Sequence, residues 1–214
     1  MRLVLNAHQQ EFEVHFDTGS SDLWVPSSKC EESCEKYQSW RKYDQSLSSS
    51  YRPASTIESI NAFNIDYEDG ESASGENAID TLMFGKNLTI PRTVFAQIDS
   101  LTGFQSCAGE EGVLGLSRSK KTSHNFPTIL SKLEGILRNP VFSMYLDGSN
   151  DDFSDGENRE KTSHAMNSHS QLVFGGVNSK HYEGCLKWYD TGATEEFDAE
   201  GQFLGYWDFT CVNF

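Results

Sequence analysis

The stretch that decides the fold is Val14–Pro26, which reads VHFDTGSSDLWVP. An apolar run leads into Asp17-Thr18-Gly19-Ser20, and a second apolar run follows. A carboxylate that activates water must be held rigidly, and the end of a strand gives Asp17 such a position. The hydroxyls of Thr18 and Ser20 can fix its oxygens by hydrogen bonds, and Gly19 lets a backbone N–H approach the carboxylate closely. Asp-Thr-Gly alone recurs by chance, whereas the whole stretch is specific.

The composition is that of a globular chain on the polar side. The 214 residues include 36% hydrophobic residues and carry 32 Asp and Glu against 17 Lys and Arg, a formal net charge of −15. Phosphates are neutralised by Lys and Arg, so this charge argues against a nucleic-acid partner and against an anionic membrane surface. No run of about 18 apolar residues occurs, so no membrane span is predicted. The acidic balance suits a protein that works at low pH, and equally an ordinary acidic protein.

Short apolar runs between glycines and serines predict a mainly β chain. Several alternate with period two or carry β-branched and aromatic residues. These runs are Phe12–Phe16, Ile79–Phe84, Phe142–Leu146 and Leu172–Phe174.

One segment has helical spacing instead. After Pro127 the apolar residues recur at intervals of three and four, which predicts one amphipathic helix. Pro127 suits the first turn of this helix and Asn139-Pro140 suits its end. The apolar residues are Ile129, Leu130, Leu133, Ile136 and Leu137.

The five cysteines are Cys30, Cys34, Cys107, Cys185 and Cys211. Cys30 and Cys34 are close enough to close a small disulfide loop, which would imply an oxidising compartment. A metal site would need a second Cys or His pair at ligand spacing, and none is near. The odd count leaves at least one cysteine free or paired outside the chain, and the pairing of the last three stays open.

The segment 148–170 is polar and acidic, with almost no apolar content. We expect a solvated insertion between two strands. A calcium loop is not expected, because Phe153 stands where an oxygen ligand is needed.

Further motifs accompany Val14–Pro26 in a fixed order. They are Gln10–Val14, the Cys30 and Cys34 pair, Tyr43–Tyr51, Tyr67–Gly75, Gly112–Leu116, Phe142–Leu146, Leu172–Gly176 and Gly205–Phe209. The series resembles the pepsin/cathepsin D family of aspartic peptidases over nearly the whole chain. The resemblance implies an all-β, pepsin-like acid protease fold with one or two short helices and an incomplete second lobe. Residues 1–176 would form the N-terminal catalytic lobe with interlobe strands, and residues 177–214 a partial C-terminal lobe.

The resemblance also assigns roles to residues. Asp17 would be a catalytic aspartate, supported by Thr18, Gly19 and by Ser20, which would hydrogen-bond it. The flap and substrate-binding residues would be Tyr67, Asp69, Gly70 and Trp24. Tyr67 would close over the substrate, Trp24 would steady it, and Gly70 would supply a main-chain contact to the peptide. Cys30 and Cys34 resemble the family's small disulfide loop.

The sequence departs from the family pattern at several positions. Glu68 replaces the usual glycine of the flap, and Glu111 replaces the usual aspartate before Gly112. An upstream Gly-Thr-Pro turn reads Asn6-Ala7-His8. A second Asp-Thr-Gly, Asp190-Thr191-Gly192, precedes the Tyr206-Trp207 strand rather than following it, so we interpret it as a loop triplet, with a displaced catalytic aspartate as the alternative.

The family mechanism needs two carboxyl groups that share one proton. A single aspartate cannot act as acid and base at once, so we expect this chain to lack the second catalytic group. We interpret the chain as part of an aspartic endopeptidase that cleaves internal peptide bonds at acidic pH. A dimer in which two copies of Asp17 meet is a less favoured source of the second catalytic carboxyl group. The alternative function is a catalytically inactive fragment or a non-enzymatic peptide-binding module of the same fold.

Partners and location follow from the same resemblance. Polypeptide substrates are expected, with a propeptide as a further partner and no metal or organic cofactor. The His residues lack metal spacing, and no zinc-hydrolase or serine-hydrolase motif occurs. We expect an extracellular, lysosomal or vacuolar location, although the first residues do not form a signal peptide. Asn87-Leu88-Thr89 is a glycosylation sequon that suits such a location.

Overall fold

The computed structural model describes residues 2–5, 10–30, 33–34, 40–54, 61–67, 70–85, 87–104, 111–147, 170–189 and 207. The chain divides into two compact units. One comprises Met1–Leu133 with Tyr189–Phe214, and the other comprises Glu134–Trp188. The predicted lobe boundary at residue 176 stays a prediction.

A large sheet dominates the first unit, and this confirms the mainly β fold. Its strands are β1 (Arg2–Leu5), β2 (Gln10–Glu13), β3 (His15–Asp17), β4 (Leu23–Pro26), β5 (Arg52–Pro53), β6 (Ala62–Asp66), β7 (Ser72–Phe84), β8 (Leu88–Thr102) and β9 (Val113–Gly115). In the described part of the chain the strands follow the order β2-β1-β7-β8-β4-β9-β3, and β5 and β6 also pair with β7.

The long hairpin of β7 and β8 is the centre of this sheet. The two strands pair antiparallel from Ser72↔Thr102 to Phe84↔Leu88, with register shifts after Ser74 and after Asp80. Strand β8 then pairs in parallel with β4, which ties the hairpin to the apolar stretch after Ser20. The hairpin therefore connects the Val14–Pro26 segment to β6, which pairs with the first half of β7.

The core beneath the sheet is built from the apolar residues of β4, β6, β8 and β9. Trp24, Phe63 and Ile98 are each at most 1% exposed and lie in one cluster with the disulfide cysteines. Burial of side chains of this size contributes roughly 1.5–3 kcal/mol each. The apolar residues Leu23–Pro26 are therefore packed in the core, and they hold the end of the polar loop that begins at Asp17.

The predicted helix is shorter than its apolar spacing indicates. Helix α1 spans Ile129–Glu134, with Ile129 and Leu133 buried. Thr128 caps its start by accepting a hydrogen bond from Ser131 N at 3.2 Å, so Pro127 precedes the cap instead of lying in the first turn. Gly135 directly follows the last helical residue, and glycine is a poor helix former. The extension to Asn139 was wrong, and Ile136 is exposed.

The second unit contains a hairpin of β10 (Phe142–Tyr145) and β11 (Gln171–Phe174), paired antiparallel from Phe142↔Phe174 to Tyr145↔Gln171. Both strands were predicted. The acidic insertion lies outside the described residues except for Ser170, whose Oγ accepts a hydrogen bond from Asp147 N at 2.9 Å. No described helix has the length and apolar character needed to cross a membrane.

Candidate active site

Asp17 is the last residue of β3, at the edge of a tightly built loop. Strand β3 pairs in parallel with β9, with Asp17 opposite Gly115. The Asp17 carbonyl accepts a hydrogen bond from Leu116 N at 2.7 Å, and the Ser20 carbonyl accepts one from Ser117 N at 2.9 Å. The loop is therefore fixed by main-chain bonds at both of its ends.

Two glycines of β9 and the turn before it permit this close packing. A Cβ added at Gly115 would lie 2.5 Å from Ser21 C and 2.6 Å from Ser20 O. A Cβ at Gly112 would lie 2.2 Å from the Trp24 carbonyl oxygen. These are backbone atoms that cannot rotate away, so this element, which the sequence analysis matched to the family, requires glycine for steric reasons.

The carboxylate of Asp17 is held by the backbone. Gly19 N donates to Asp17 Oδ1 at 2.8 Å, the close approach expected for a glycine at this position. The expected hydrogen bond from Ser20 is absent. Ser20 Oγ is buried and has no hydrogen-bond partner. Asp side chains commonly bond the backbone N–H two residues on, and here that local bond holds the carboxylate without the serine.

A second aspartate, Asp22, anchors the far side of the loop and was not singled out from the sequence. Its side chain is 7% exposed, and Oδ2 accepts from Ser21 Oγ at 3.0 Å and from Ser123 N at 3.2 Å. His124 Nδ1 lies 3.8 Å from Asp22 Oδ1, and its ring packs on Phe63 of β6 with a centroid distance of 4.8 Å. The turn at residues 122–125 thus connects the loop to the flap strands.

The predicted flap hairpin is present. Strands β6 and β7 pair from Ala62↔Glu76 to Asp66↔Ser72. Tyr67 N donates to the Glu71 carbonyl at 2.8 Å, and Gly70 N donates to the Tyr67 carbonyl at 3.0 Å. Gly70 has φ of +86°, a conformation that favours glycine. The Gly70 N–H is therefore used inside the turn.

Tyr67 is tied to Trp24 as the resemblance implied. Trp24 Nε1 donates to the Tyr67 hydroxyl oxygen at 2.8 Å. Phe104 contacts both rings edge-on, with centroid distances of 5.4 Å to Trp24 and 5.9 Å to Tyr67. The sequence analysis did not single out Phe104, which stands two residues after the end of β8 with no motif to mark it.

The phenol of Tyr67 lies in a buried, negatively charged setting. Burial raises the pKa of Tyr67, and the charges of Asp17 and Asp22 raise it further, while the hydrogen bond from Trp24 opposes the rise. This setting therefore favours the neutral phenol of Tyr67.

Glu111, a departure from the family pattern, has a defined structural partner. Its carboxylate is 5% exposed and accepts from Arg41 Nε at 2.8 Å and from Arg41 N at 2.9 Å. The other oxygen accepts from Glu13 N at 2.9 Å. The hydrogen bond to Glu111 raises the pKa of Arg41. The longer side chain therefore joins the end of β2 to the segment that follows the disulfide loop.

Asp80 of β7 forms the most saturated carboxylate in the described sheet. Oδ2 accepts from the hydroxyls of Tyr43 and Ser48, each at 2.7 Å. Oδ1 accepts from Ser50 Oγ and from Thr81 N, the latter at 2.7 Å. The Tyr43–Tyr51 motif thus supplies three of the hydroxyl groups that donate hydrogen bonds to this carboxylate.

The remaining predictions have different outcomes. Cys30 and Cys34 form the predicted disulfide. Trp207 Nε1 donates to the Leu116 carbonyl at 2.7 Å, beside the residues that hold Asp17, a contact that the sequence analysis missed. Among the described residues no cluster of His, Cys, Asp and Glu could hold a metal ion. Glu68, Asp69, Cys107, Cys211 and the Asp190-Thr191-Gly192 triplet lie outside the described residues.

Comparison with known proteins agrees with this geometry. The family model described as "Eukaryotic aspartyl protease" matches residues 2–211. Vacuolar protease A of Aspergillus fumigatus is 35% identical over 188 residues, which are 86% of this chain and 41% of that protein. Vacuolar protease A of Neurospora crassa is 31% identical over 95% of this chain and 46% of its own length. Candidapepsin-3 of Candida albicans is 30% identical over 86% of this chain and 42% of its own length. The chain thus spans less than half the length of these relatives, and it belongs to the eukaryotic aspartyl protease family.

Proposed function

We propose that this chain forms part of an aspartic endopeptidase, in which Asp17 is one of the two catalytic carboxyl groups. The observation that carries the proposal is the arrangement within one short stretch of chain: Gly19 N orients the carboxylate of Asp17, and Trp24 donates to the hydroxyl of the flap tyrosine Tyr67. A carboxylate oriented by the backbone and a hairpin whose tyrosine is held by Trp24 suit an extended peptide bound between them.

The proposed chemistry needs two carboxyl groups in different protonation states. The ionised group takes a proton from water, whose oxygen attacks the carbonyl carbon of the peptide. The protonated group donates to the carbonyl oxygen, and a tetrahedral diol forms. The diol then collapses with cleavage of the C–N bond, and the departing amine takes up a proton. Two close carboxyl groups can hold one shared proton because both cannot ionise together.

The loop suits this role because it leaves donors and acceptors available. Asp17 Oδ1 is oriented by Gly19 N, and Oδ2 has no hydrogen-bond partner among the described residues. The buried hydroxyl of Ser20 is also unpaired. Leaving such a group unsatisfied costs about 1–3 kcal/mol, so a water molecule or the second carboxyl group would be bound favourably beside it.

We propose that the second carboxyl group comes from sequence beyond this chain. The relatives carry more than twice the matched length, which supports this source over the others. Asp190 and a second copy of Asp17 remain the alternatives, and each predicts activity from the 214-residue chain itself.

The proposed location is the secretory pathway, with an extracellular, lysosomal or vacuolar destination. The relatives are named as vacuolar or secreted proteases, and the Cys30–Cys34 disulfide suits an oxidising compartment. Polypeptides are the proposed substrates, and a propeptide is a possible further partner.

The test compares two preparations at about pH 4, where a shared-proton pair of carboxyl groups is competent. One is this chain and the other is the longest natural translation product that contains it. We expect the longer product to cleave a denatured protein, to be blocked by a statine-type transition-state analogue, and to lose activity in Asp17→Asn. Full activity of Asp17→Asn would contradict the proposal. Activity of the 214-residue chain alone would instead point to Asp190 or to a dimer.

A further inference from the structure

We propose that Asn87 is an N-glycosylation site, an inference that rests on the secretory location proposed above. Asn87-Leu88-Thr89 has the Asn-x-Thr pattern of a glycan acceptor, and the pattern occurs once in the sequence. Such triplets arise by chance, so their placement in the fold decides whether a glycan can be carried.

The triplet lies at the turn of the longest hairpin. Strand β7 ends at Phe84 and β8 begins at Leu88, so Asn87 is the last residue of the connecting turn. Asn87 and Thr89 are both exposed, whereas Leu88 between them is half-buried. The carboxamide and the hydroxyl that an acceptor requires are therefore both presented to solvent.

The turn also presents open space close to the acceptor. A Cβ added at Gly85, two residues before Asn87, would meet no atom within 4 Å. Among contacts between described residues, none engages the Asn87 carboxamide. A glycan would therefore replace no described hydrogen bond when it joins Nδ2.

The site is remote from the flap along the chain. Strand β7 begins at Ser72, beside the flap turn, and runs 13 residues before it reaches Phe84. At about 3.3 Å per residue this is roughly 40 Å along the strand. We therefore expect a glycan on Asn87 to leave peptide access to Tyr67 and Asp17 unchanged.

The modification is a group transfer from a lipid-pyrophosphate-linked oligosaccharide, catalysed by a membrane oligosaccharyltransferase. The bond between the anomeric carbon and the pyrophosphate oxygen breaks, and a bond from that carbon to Asn87 Nδ2 forms. The carboxamide loses one proton to a base, and the lipid pyrophosphate leaves with the electron pair.

The experiment expresses the full 214-residue chain in a eukaryotic secretory host, behind a signal sequence and a short tag with its own sequon. Only chains with a glycosylated tag are scored, so entry into the pathway is established for each one. Glycan number is read by mass before and after peptide N-glycosidase, which converts an occupied asparagine to aspartate. We expect two glycans on the wild-type chain, one on Asn87→Gln and Thr89→Val, and two on Thr89→Ser.

A matched variant controls for glycosylation within the folded sequence. Asp66→Thr, combined with Asn87→Gln, completes a new sequon that begins at the exposed Asn64 of β6. A wild-type chain with only the tag glycan would overturn the proposal, and a second glycan on the matched variant would show that the failure is specific to Asn87. The mass measurement does not depend on peptidase activity, so a failed proposal here is distinct from a failed proposal for Asp17.

Discussion

Asp17 and Asp80 are two aspartates of one sheet that lie in opposite hydrogen-bonding environments. Asp80 accepts hydrogen bonds from Tyr43, Ser48, Ser50 and the N–H of Thr81, and it is 1% exposed. Asp17 is oriented by the Gly19 N–H alone among the described residues, and its second oxygen remains open. The two carboxylates share residue type and strand context but differ in how many donors surround them.

We expect this difference to separate a structural carboxylate, Asp80, from the proposed catalytic one, Asp17. A carboxylate with every lone pair occupied cannot exchange a proton with a substrate without breaking bonds that hold the fold. One oriented by a single backbone donor can do so without such a loss. The predictions below test whether the two environments have these separate consequences.

Asp17→Asn should give the largest effect, and on activity alone. Removal of a group that transfers protons in the transition state typically costs about 10²–10⁴-fold in rate. In the longest natural product that contains this chain we expect kcat/KM to fall by about 10³-fold or more. The free energy of unfolding should change by less than about 1 kcal/mol, because Gly19 N can still donate to the amide oxygen. A large loss of stability, measured by urea unfolding, would mean that Asp17 is structural.

Gly115→Ala should displace the loop that follows Asp17, because Gly115 of β9 packs directly against that loop. The added Cβ would lie 2.5–2.6 Å from backbone atoms of Ser20, Ser21 and Asp22, so the loop after Asp17 or β9 must move. We expect a loss of about 3 kcal/mol in unfolding free energy, at the upper end of overpacking effects. Gly176→Ala is the matched control, because a Cβ there meets no atom within 4 Å. Equal effects in urea unfolding would contradict the steric explanation.

Asp80→Ala should reverse the pattern expected for Asp17→Asn. It leaves the buried hydroxyl of Tyr43 and the hydroxyls of Ser48 and Ser50 without their acceptor. Each unsatisfied buried donor costs about 1–3 kcal/mol, so we expect a loss of about 3 kcal/mol overall. The fraction that remains folded should keep the catalytic rate per molecule, as measured by active-site titration. An unchanged midpoint in urea would show that Asp80 is not the structural carboxylate of the pair.

Glu111 extends the comparison to a carboxylate with a charged partner. Glu111→Asp shortens the side chain by one methylene, so it cannot reach both Arg41 and Glu13 N, and Glu111→Gln keeps the length but removes the charge. We expect each to cost about 1–2 kcal/mol in urea unfolding, since hydrogen bonds to charged groups contribute about 1.5–3 kcal/mol. Glu76→Gln is the control, because its ion pair with Lys29 at 3.7 Å is exposed and should contribute little. A Glu111→Asp protein as stable as wild type would mean that the family's usual aspartate serves equally well here.

The local parts of this site were predictable from the sequence, and the long-range parts were not. Three features depend only on residues close together in the sequence, so a short motif is enough to predict them. They are the strand before Asp17, the Gly19 N–H contact and the flap turn. The Arg41–Glu111 contact joins residues 70 apart, and the Asp22–Ser123 contact joins residues 101 apart. Such pairs depend on sheet register, which periodicity does not specify.

The two errors have physical causes as well. Ser20 Oγ is buried without a hydrogen-bond partner, and residue type alone does not specify where a hydroxyl points. The helix was predicted too long because the apolar spacing continues past Gly135, whereas the helix ends at Glu134, before this poor helix former. Apolar spacing alone therefore does not specify where a short helix ends.

Tyr43 lies beside Asp80, and Tyr67 is affected by the charge of Asp17, so the two tyrosines extend the comparison of the aspartates. Their effect on stability at high pH is the smallest that we predict. Burial raises the pKa of Tyr43, and its hydrogen bond to Asp80 adds to the rise. Burial also raises the pKa of Tyr67, with the charges of Asp17 and Asp22 adding to it. A raised folded-state pKa stabilises the fold fully below the unfolded value of about 10 and loses that contribution as pH rises above it. Alkaline unfolding should therefore begin above about pH 10.

The measurement is urea unfolding between about pH 9 and 11, which brackets the tyrosine titration. Each buried phenol contributes up to about 1.4 kcal/mol per pH unit to the loss of stability, so Tyr43→Phe and Tyr67→Phe should each make the loss less steep. Combining Tyr67→Phe with Asp17→Asn should give no further change in this slope, because the charge acts through the phenol. With Tyr67 present, Asp17→Asn should slightly reduce the loss of unfolding free energy per pH unit. Asp80→Asn should change this loss only through its effect on the pKa of Tyr43. A Tyr67→Phe protein with the wild-type slope would mean that the flap tyrosine is open to solvent and does not sense Asp17.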